Sequence, residues 1–495
     1  MGRLPEASGE WELPKLKFSL GFDDQLSFIS GEAWDVKFYP YNPDGAPPIF
    51  AAVTQKQVLV CRVVHSKESP VEIIRIIADE EPKTFWVGCC WAKDPETDRP
   101  RLCVAGNDNN IRIFDVREGT IVDTFTGHGN GINDLATSPN DPSIIASAAD
   151  DTTVRIWSLA AVHKKQPCVA LLAGEGHSWI LLTVAWHETG RYLLSAGHDQ
   201  DICLWVVPEI PDEPVEAPII VHYPHFSTWA VHANLIDCIA FLGDCILSRA
   251  CYEDTIVMWR IEGFDSKNPP PTVSEAPTNY DPKKYTRSAF VSKTPSSCPA
   301  AYTRIMEFEV PECGQVFFQR FSIFQAPGKH PVLAIGNAKS KVMFWDFQRF
   351  EAYQEFLKAL KDPNRDRSVP LERPSWLPAK APKKPDMASK ALADATDKES
   401  GASAAATPDP DAAGTALEYS HEVIAYWDSM YGYGGFSQGV KAPIKAHKVI
   451  SVHKDLPREV PFITRQVAWS PEGDYCVFTG SSNRVLLFQR WAKDK

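Results

Sequence analysis

In the stretch "CGQVFFQRFSIF", residues 313–324, Phe317 and Phe318 stand side by side. A half-buried strand alternates apolar and polar positions, and Phe318 breaks that alternation. Aromatic faces that converge in a water-poor pocket attract cations, best of all a quaternary ammonium such as trimethyl-lysine. The competing reading makes Phe317 core and packs Phe318 beneath a neighbouring loop. His128 with Asp151 is a second pair able to do chemistry, either as catalytic groups or as a hydrogen-bond pair inside a repeat. A nucleophile needs a turn of the G-x-S-x-G kind, and none accompanies them. Walker, G-x-G-x-x-G and H-E-x-x-H sequences are also missing, and the 13 histidines lack metal-ligand spacing. Paired acids such as Asp150 and Asp151 fall in turns, where aspartate bonds to nearby backbone. Neither a catalytic centre, a metal site nor a cofactor is expected.

The elements that must position these residues follow from composition and repeat. The chain has 495 residues, 44% of them apolar, enough for a large core. With 51 Lys and Arg against 63 Asp and Glu the net charge is −12, which argues against binding a phosphate backbone and favours cationic partners. No sequence-specific contact with DNA is expected. Twelve cysteines include no CxxC pair, and most lie in apolar runs such as "VGCCW" and "DICLW", as reduced intracellular thiols do. No apolar run approaches the ~18 residues of a membrane helix, so no membrane partner is expected. "MGRLPEA" has Glu6 where a myristoylation signal wants Ser or Thr.

Five segments end alike: "AGNDNNIRIFDV", "SAADDTTVRIWSL", "SAGHDQDICLWVV", "SRACYEDTIVMWRI" and "AIGNAKSKVMFWDF". Asp108, Asp151 and Asp199 each fall six residues before the closing aromatic, Phe114, Trp157 or Trp205. Two weaker units flank them, "AAVTQKQVLVCRV" and "FTGSSNRVLLFQRW". Each has a second strand upstream: "WDVKF", "VGCCW", "NDLAT", "LTVAW", "DCIAF", "FFQRF" and "RQVAW". "GHGNGINDLATSPND" followed by "DDTTVRIW" carries the Gly-His…Trp signature of a WD40 repeat. Seven such units predict an all-β, seven-bladed WD40 β-propeller over residues 31–495. The closing aromatics are spaced 43, 48, 54, 86 and 143 residues apart from Phe114 to Phe488, so the later units carry insertions. These fall at about 262–300 and 351–440, the second Ala/Pro/Lys/Asp-rich and expected to be largely disordered. Residues 1–30 form an N-terminal extension whose "LPKLKFSL" is placed as an outer strand of the last blade, latching the ring.

The residue four positions before the end of each inner strand then lies near one rim of the channel. In blade order these are Trp34, Val87, Asn133, Leu182, Asp237, Phe317 and Arg465. Trp34, Phe317 and Phe318 are the expected walls of an aromatic box, with Arg320, Arg465, Asp237 and Asn133 orienting a bound peptide.

The segments "GHGNGINDLATSPNDPSIIASAADDTTVRIW", "VHANLIDCIAFLGDCILSRACYEDTIVMW", "HFSTW" and "AIGNAKSKVMFWDF" together resemble the EED (extra sex combs) family of polycomb proteins. The similarity runs over about 30–347 and 445–491, and the Pro- and Ala-rich expansions fit a divergent, fungal member. The resemblance implies a nuclear, non-enzymatic core subunit of polycomb repressive complex 2. Such a subunit scaffolds a SET-domain histone methyltransferase beside a zinc-finger polycomb subunit. It also reads trimethyl-lysine on the histone H3 tail, stimulating methylation. Family cage positions match Trp34, Phe317 and Phe318. The fourth falls on Val87, which is not aromatic, unless a bulge brings Trp86 in. A general WD40 adaptor, such as a ubiquitin-ligase substrate receptor for an unmodified peptide, is the alternative.

Overall fold

The computed structural model describes residues 11–21, 32–66, 68–78, 83–278, 284–291, 298, 300–366, 368–381, 419–432, 442–452, 461–481 and 484–491. Its strands form seven sheets of four or five strands, the blades of a propeller, antiparallel except where Ile219–Val221 pairs in parallel with Cys168–Leu172 at the outer edge of blade 3. The first strands of blades 1 to 7 are Ala33–Phe38, Trp86–Lys93, Ile132–Thr137, Leu181–Trp186, Ile236–Leu242, Ser322–Phe324 and Thr464–Trp469. Short turns join them to second and third strands whose apolar residues are almost wholly buried, as sheets covered on both faces require. The core lies between neighbouring blades. Tyr192, Leu194 and Phe226 of blade 4 pack on Ile239, Ile246 and Trp259 of blade 5. Val36, Phe50 and Leu59 of blade 1 pack on Tyr475, Val477 and Leu487 of blade 7, which closes the ring.

A polar network braces blades 3, 4 and 5 from within. In blade 3, His128 Nδ1 lies 2.9 Å from Asp151 Oδ2 and Nε2 lies 2.6 Å from Ser147 Oγ, which accepts the Trp157 indole N–H at 2.8 Å. His177, Asp199, Ser195 and Trp205 repeat the arrangement in blade 4. In blade 5, His232, Ser248 and Trp259 do so with Glu253 replacing the aspartate. The order Ser–His–Asp resembles a hydrolase triad, but Ser147, Ser195 and Ser248 are fully buried and hydrogen-bonded to an indole. No substrate reaches them, so the networks are structural.

Lys15–Gly21 pairs antiparallel with Arg484–Gln489, so blade 7 is completed by a strand from the other end of the chain. Leu13 joins the core between blades 6 and 7, and Arg490 Nε donates to Glu12 O at 2.7 Å. The 262–300 insertion contributes Thr286–Ser288, which pairs with Phe226–Thr228 as the outermost strand of blade 4. In blade 6 the chain leaves the third strand, Lys341–Asp346, and returns to the fourth, Lys448–Ser451, only after about a hundred residues.

Residues 349–434 are a separate compact unit. The 351–440 segment, expected to be largely disordered, is therefore folded in part, while 382–418 and 433–440 lie outside the described residues. Helix α1, Phe347–Lys361, and helix α2, His421–Tyr431, supply Tyr353, Phe356, Leu357, Leu360, Ile424, Trp427 and Met430 to one apolar cluster with Leu377. Tyr353 donates to Asp428 Oδ1 at 2.8 Å, and the Trp427 indole donates to Pro378 O at 3.0 Å. Ser420 caps α2 by accepting from Val423 N. The composition of 378–414 hides this, because the apolar residues that build the unit flank the Ala/Pro-rich run on either side.

Candidate functional site

Six of the seven first strands carry a β-bulge at their second position. The pairing register skips Trp34, Val87, Asn133, Leu182, Asp237 and Arg465. A bulge leaves one residue out of the ladder and re-aims its side chain, which is how a repeated fold presents a variable ring. Blade 6 departs from the expectation. "FFQRF" is not a strand; its first strand is only Ser322–Phe324. Ile323 pairs with Leu333 and Leu333 with Trp345, the row that Phe241, Ile246 and Trp259 form in blade 5. Counting back from Ile323 places Gln319, not Phe317, at the ring position. Phe317 and Phe318 therefore sit just outside the ladder, with Phe318 in the left-handed region at φ 54°. That conformation lets two adjacent aromatics both face away from the core.

Trp34 and Phe318 meet edge to face with ring centroids 6.2 Å apart. Phe317, 37% exposed, lies against His198 at 6.0 Å, nearly parallel at 14°, and edge-on to Tyr252 at 6.2 Å. Trp86 is fully buried against Phe114 in the core between blades 1 and 2 and is no wall of this opening. The bulge selects Val87, half-buried, in that place.

Two of the aromatic walls, Trp34 and Phe318, are backed by a guanidinium. The Arg465 guanidinium carbon lies 4.6 Å from the Trp34 ring centroid, and that of Arg320 lies 4.9 Å from Phe318. Arg465 is held by Glu32, with Nε to Oε2 at 2.8 Å, and it also donates to Phe317 O. It fastens two walls together rather than pointing outward.

The other three residues expected to orient a peptide are committed to the protein itself. Arg320 is buried and donates to Asp134 Oδ1 at 3.0 Å, Asn133 O at 3.2 Å and Leu182 O at 2.6 Å. Burial opposes its charge, but Asp134 and Asp35 outweigh that and hold its pKa above the ordinary value. Asp237 is fully buried and paired with Arg249 at 2.9 and 3.1 Å; it also accepts from Gln319 N at 3.3 Å. Asn133 uses its amide on Asp150 Oδ1 at 2.6 Å and Leu181 O at 2.7 Å. A bulge residue turns inward when a buried partner of opposite charge waits for it, and Arg249 is such a partner for Asp237. Beyond Arg320 the channel widens into a cavity of about 600 Å³ lined by Lys37, Trp91, Thr183, Phe324 and Gln466.

Sequence reasoning missed Glu32, His198, Tyr252 and Gln319. His198 and Tyr252 occupy the turn between second and third strands, where other blades place Asn107 or Asp150, so an aromatic in that slot was the available signal. Among the described residues no group of three or more His, Cys, Asp or Glu is placed to hold a metal ion.

The WD domain, G-beta repeat family matches residues 119–158 and 167–206. The chain is 43% identical to Polycomb protein EED of Chaetomium thermophilum, over 99% of this chain and 98% of that protein. It superposes on one chain of the crystal structure of the Chaetomium thermophilum polycomb repressive complex 2 with TM-score 0.85 and 46% identity, covering 99% and 100% of the two chains. A chain in the structure of ctPRC2 in complex with H3K27me3 and H3K27M gives TM-score 0.84 and 46% identity at 99% and 100% coverage.

Proposed function

Because the chain belongs to the EED family of polycomb proteins, we propose that it serves as a non-catalytic core subunit of polycomb repressive complex 2. In this reading it scaffolds a SET-domain histone H3 lysine-27 methyltransferase and a zinc-finger polycomb subunit in the nucleus. It reads trimethyl-lysine on the histone H3 tail between Trp34, Phe318 and Phe317. The observation that carries the reading is the edge-to-face pair of Trp34 and Phe318 at the bulged rim, with the exposed Phe317 beside it. A relative of 46% identity has been solved in a complex with H3K27me3, which supports the same ligand here.

The chemistry suits that ligand. A trimethylammonium spreads its charge over methyls that lose little hydration on entering an aromatic site, and each face gives it about 0.5–2 kcal/mol. Val87 supplies methyl contacts but no aromatic quadrupole, so the cage has three aromatic walls and binds correspondingly less tightly. Stimulation follows if the marked tail binds the active arrangement of the assembled complex better than the resting one.

Calorimetric titration of the full chain with trimethylated and unmodified H3-tail peptides tests the reading. The trimethylated peptide is expected to bind more tightly. Trp34→Ala and Phe318→Ala should each reduce that preference by roughly three- to thirtyfold. Equal binding of the two peptides by the unmutated protein refutes it. Purification from nuclear extract with mass spectrometry of the bound proteins tests the scaffold; a SET-domain methyltransferase should dominate.

A further inference from the structure

The aromatic surface does not stop at the cage. Trp179, 58% exposed, lies 5.9 Å from His198, which in turn stacks on Phe317. Tyr252, 45% exposed, closes the row on the far side of Phe317. Trp179 precedes the first strand of blade 4, His198 and Tyr252 lie in turns of blades 4 and 5, and Phe317 precedes blade 6. Backbone bonds fix the row: His198 N donates to Ile180 O at 2.8 Å, and Phe317 O is held by Arg465. So wide an exposed aromatic surface next to a binding site is evidence of use.

We propose that Trp179, His198, Phe317 and Asp150 form a second subsite, which takes an arginine side chain of the same bound tail a few residues from the trimethyl-lysine. The inference rests on the cage reading above and deepens it. Ring-to-ring steps of 6.0 and 5.9 Å put Trp179 within about 12 Å of Phe317. An extended chain covers that in about four residues at ~3.3 Å each. A planar guanidinium stacks on aromatic faces and bonds a carboxylate at its edge, which an ammonium does less well. Asp150 supplies the carboxylate: the Asn133 amide donates both to it at 2.6 Å and to Leu181 O at 2.7 Å, which sets Asp150 beside the start of blade 4, two residues from Trp179, and no Lys or Arg among the described residues forms an ion pair with it. Burial pushes the His198 pKa below its ordinary value, so at neutral pH the ring offers a neutral face to a cation.

The test uses the full chain and synthetic Gly/Ser/Ala peptides with one trimethyl-lysine. Each carries arginine or glutamine four residues to one side or the other, and binding is read by fluorescence anisotropy. On one side arginine should tighten binding about two- to fivefold over glutamine. Trp179→Ala and Asp150→Asn should each remove that gain while the preference for trimethylated over unmodified lysine stays. Equal binding of arginine and glutamine peptides on both sides overturns the proposal, as does a gain that survives both substitutions. Loss of the trimethyl preference in Trp179→Ala would assign Trp179 to the cage and also overturn it. If the unmutated protein binds trimethylated and unmodified peptides alike, the cage reading itself fails, and the subsite with it.

Discussion

Replacing Asp237 with alanine tests whether that residue acts on a peptide or on the protein. Its carboxylate and Arg249 are both inaccessible to solvent and meet at 2.9 Å, and Asp237 also accepts from the Cys251 thiol and from Gln319 N. Asp237→Ala leaves a buried guanidinium without its counter-charge, which costs about 3–5 kcal/mol. Unfolding entropy is ~2.1 cal/mol/K per residue, or ~1 kcal/mol/K for 495 residues, so the thermal midpoint should fall by about 3–5 °C. Asp237→Leu with Arg249→Met removes both charges and should recover at least half of that loss, because apolar residues of similar volume replace a buried pair at little cost. Trimethyl-lysine affinity should fall in the single variant, since Gln319 N no longer fixes the segment that carries Phe318. Scanning calorimetry and peptide titration on the same samples decide it. A midpoint unchanged within 1 °C together with weakened binding would mean that Asp237 faces the ligand after all.

Arg465→Met should weaken trimethyl-lysine binding about three- to tenfold with little change in midpoint, and Arg465→Lys should not restore it, because an ammonium cannot bond Glu32 and Phe317 O through one planar fork; peptide titration reads both. The carboxyls of Asp151 and Asp199 are raised by burial but lowered further by His128, His177 and backbone N–H groups, leaving both below the ordinary 3.8. Unfolded chains therefore take up protons first as pH falls: the stabilisation is whole above about pH 4 and is lost below it. Thermal midpoints from about pH 5 to 2 should fall, with a shallower slope in the Asp151→Asn, Asp199→Asn double variant. Deleting residues 1–21 should lower the midpoint and cause concentration-dependent association, because the Arg484–Gln489 edge is left open; calorimetry and size-exclusion chromatography measure both.

The ring of blades was legible because six of the seven units end on an aromatic that packs between sheets, and Trp157, Trp205, Trp259 and Trp345 are all fully buried. Trp34 and Arg465 fall at the skipped ladder position to which the count assigns them, because their strands close on Phe38 and Trp469, in register with the neighbouring rows. Blade 6 closes on Ile323, so counting from Phe321 moved the ring position by two residues. The direction of a polar residue at or beside the ring position was not legible, because it depends on a partner met only in three dimensions. Arg320 finds Asp134 of blade 3, 186 residues away in sequence. The folding of 349–434 was obscured by the biased composition at its centre.

The pairing of Lys15–Gly21 with Arg484–Gln489 also sets the order in which the molecule can be made. A ribosome adding about 5–20 residues per second separates the two by roughly 25–90 s. Through that interval the nascent chain holds most of its sheets without the last, and its opening segment waits for a partner not yet synthesised. Assembly cannot finish until Arg484–Gln489 has been made, so a holding chaperone has most to protect in the minute before that strand emerges.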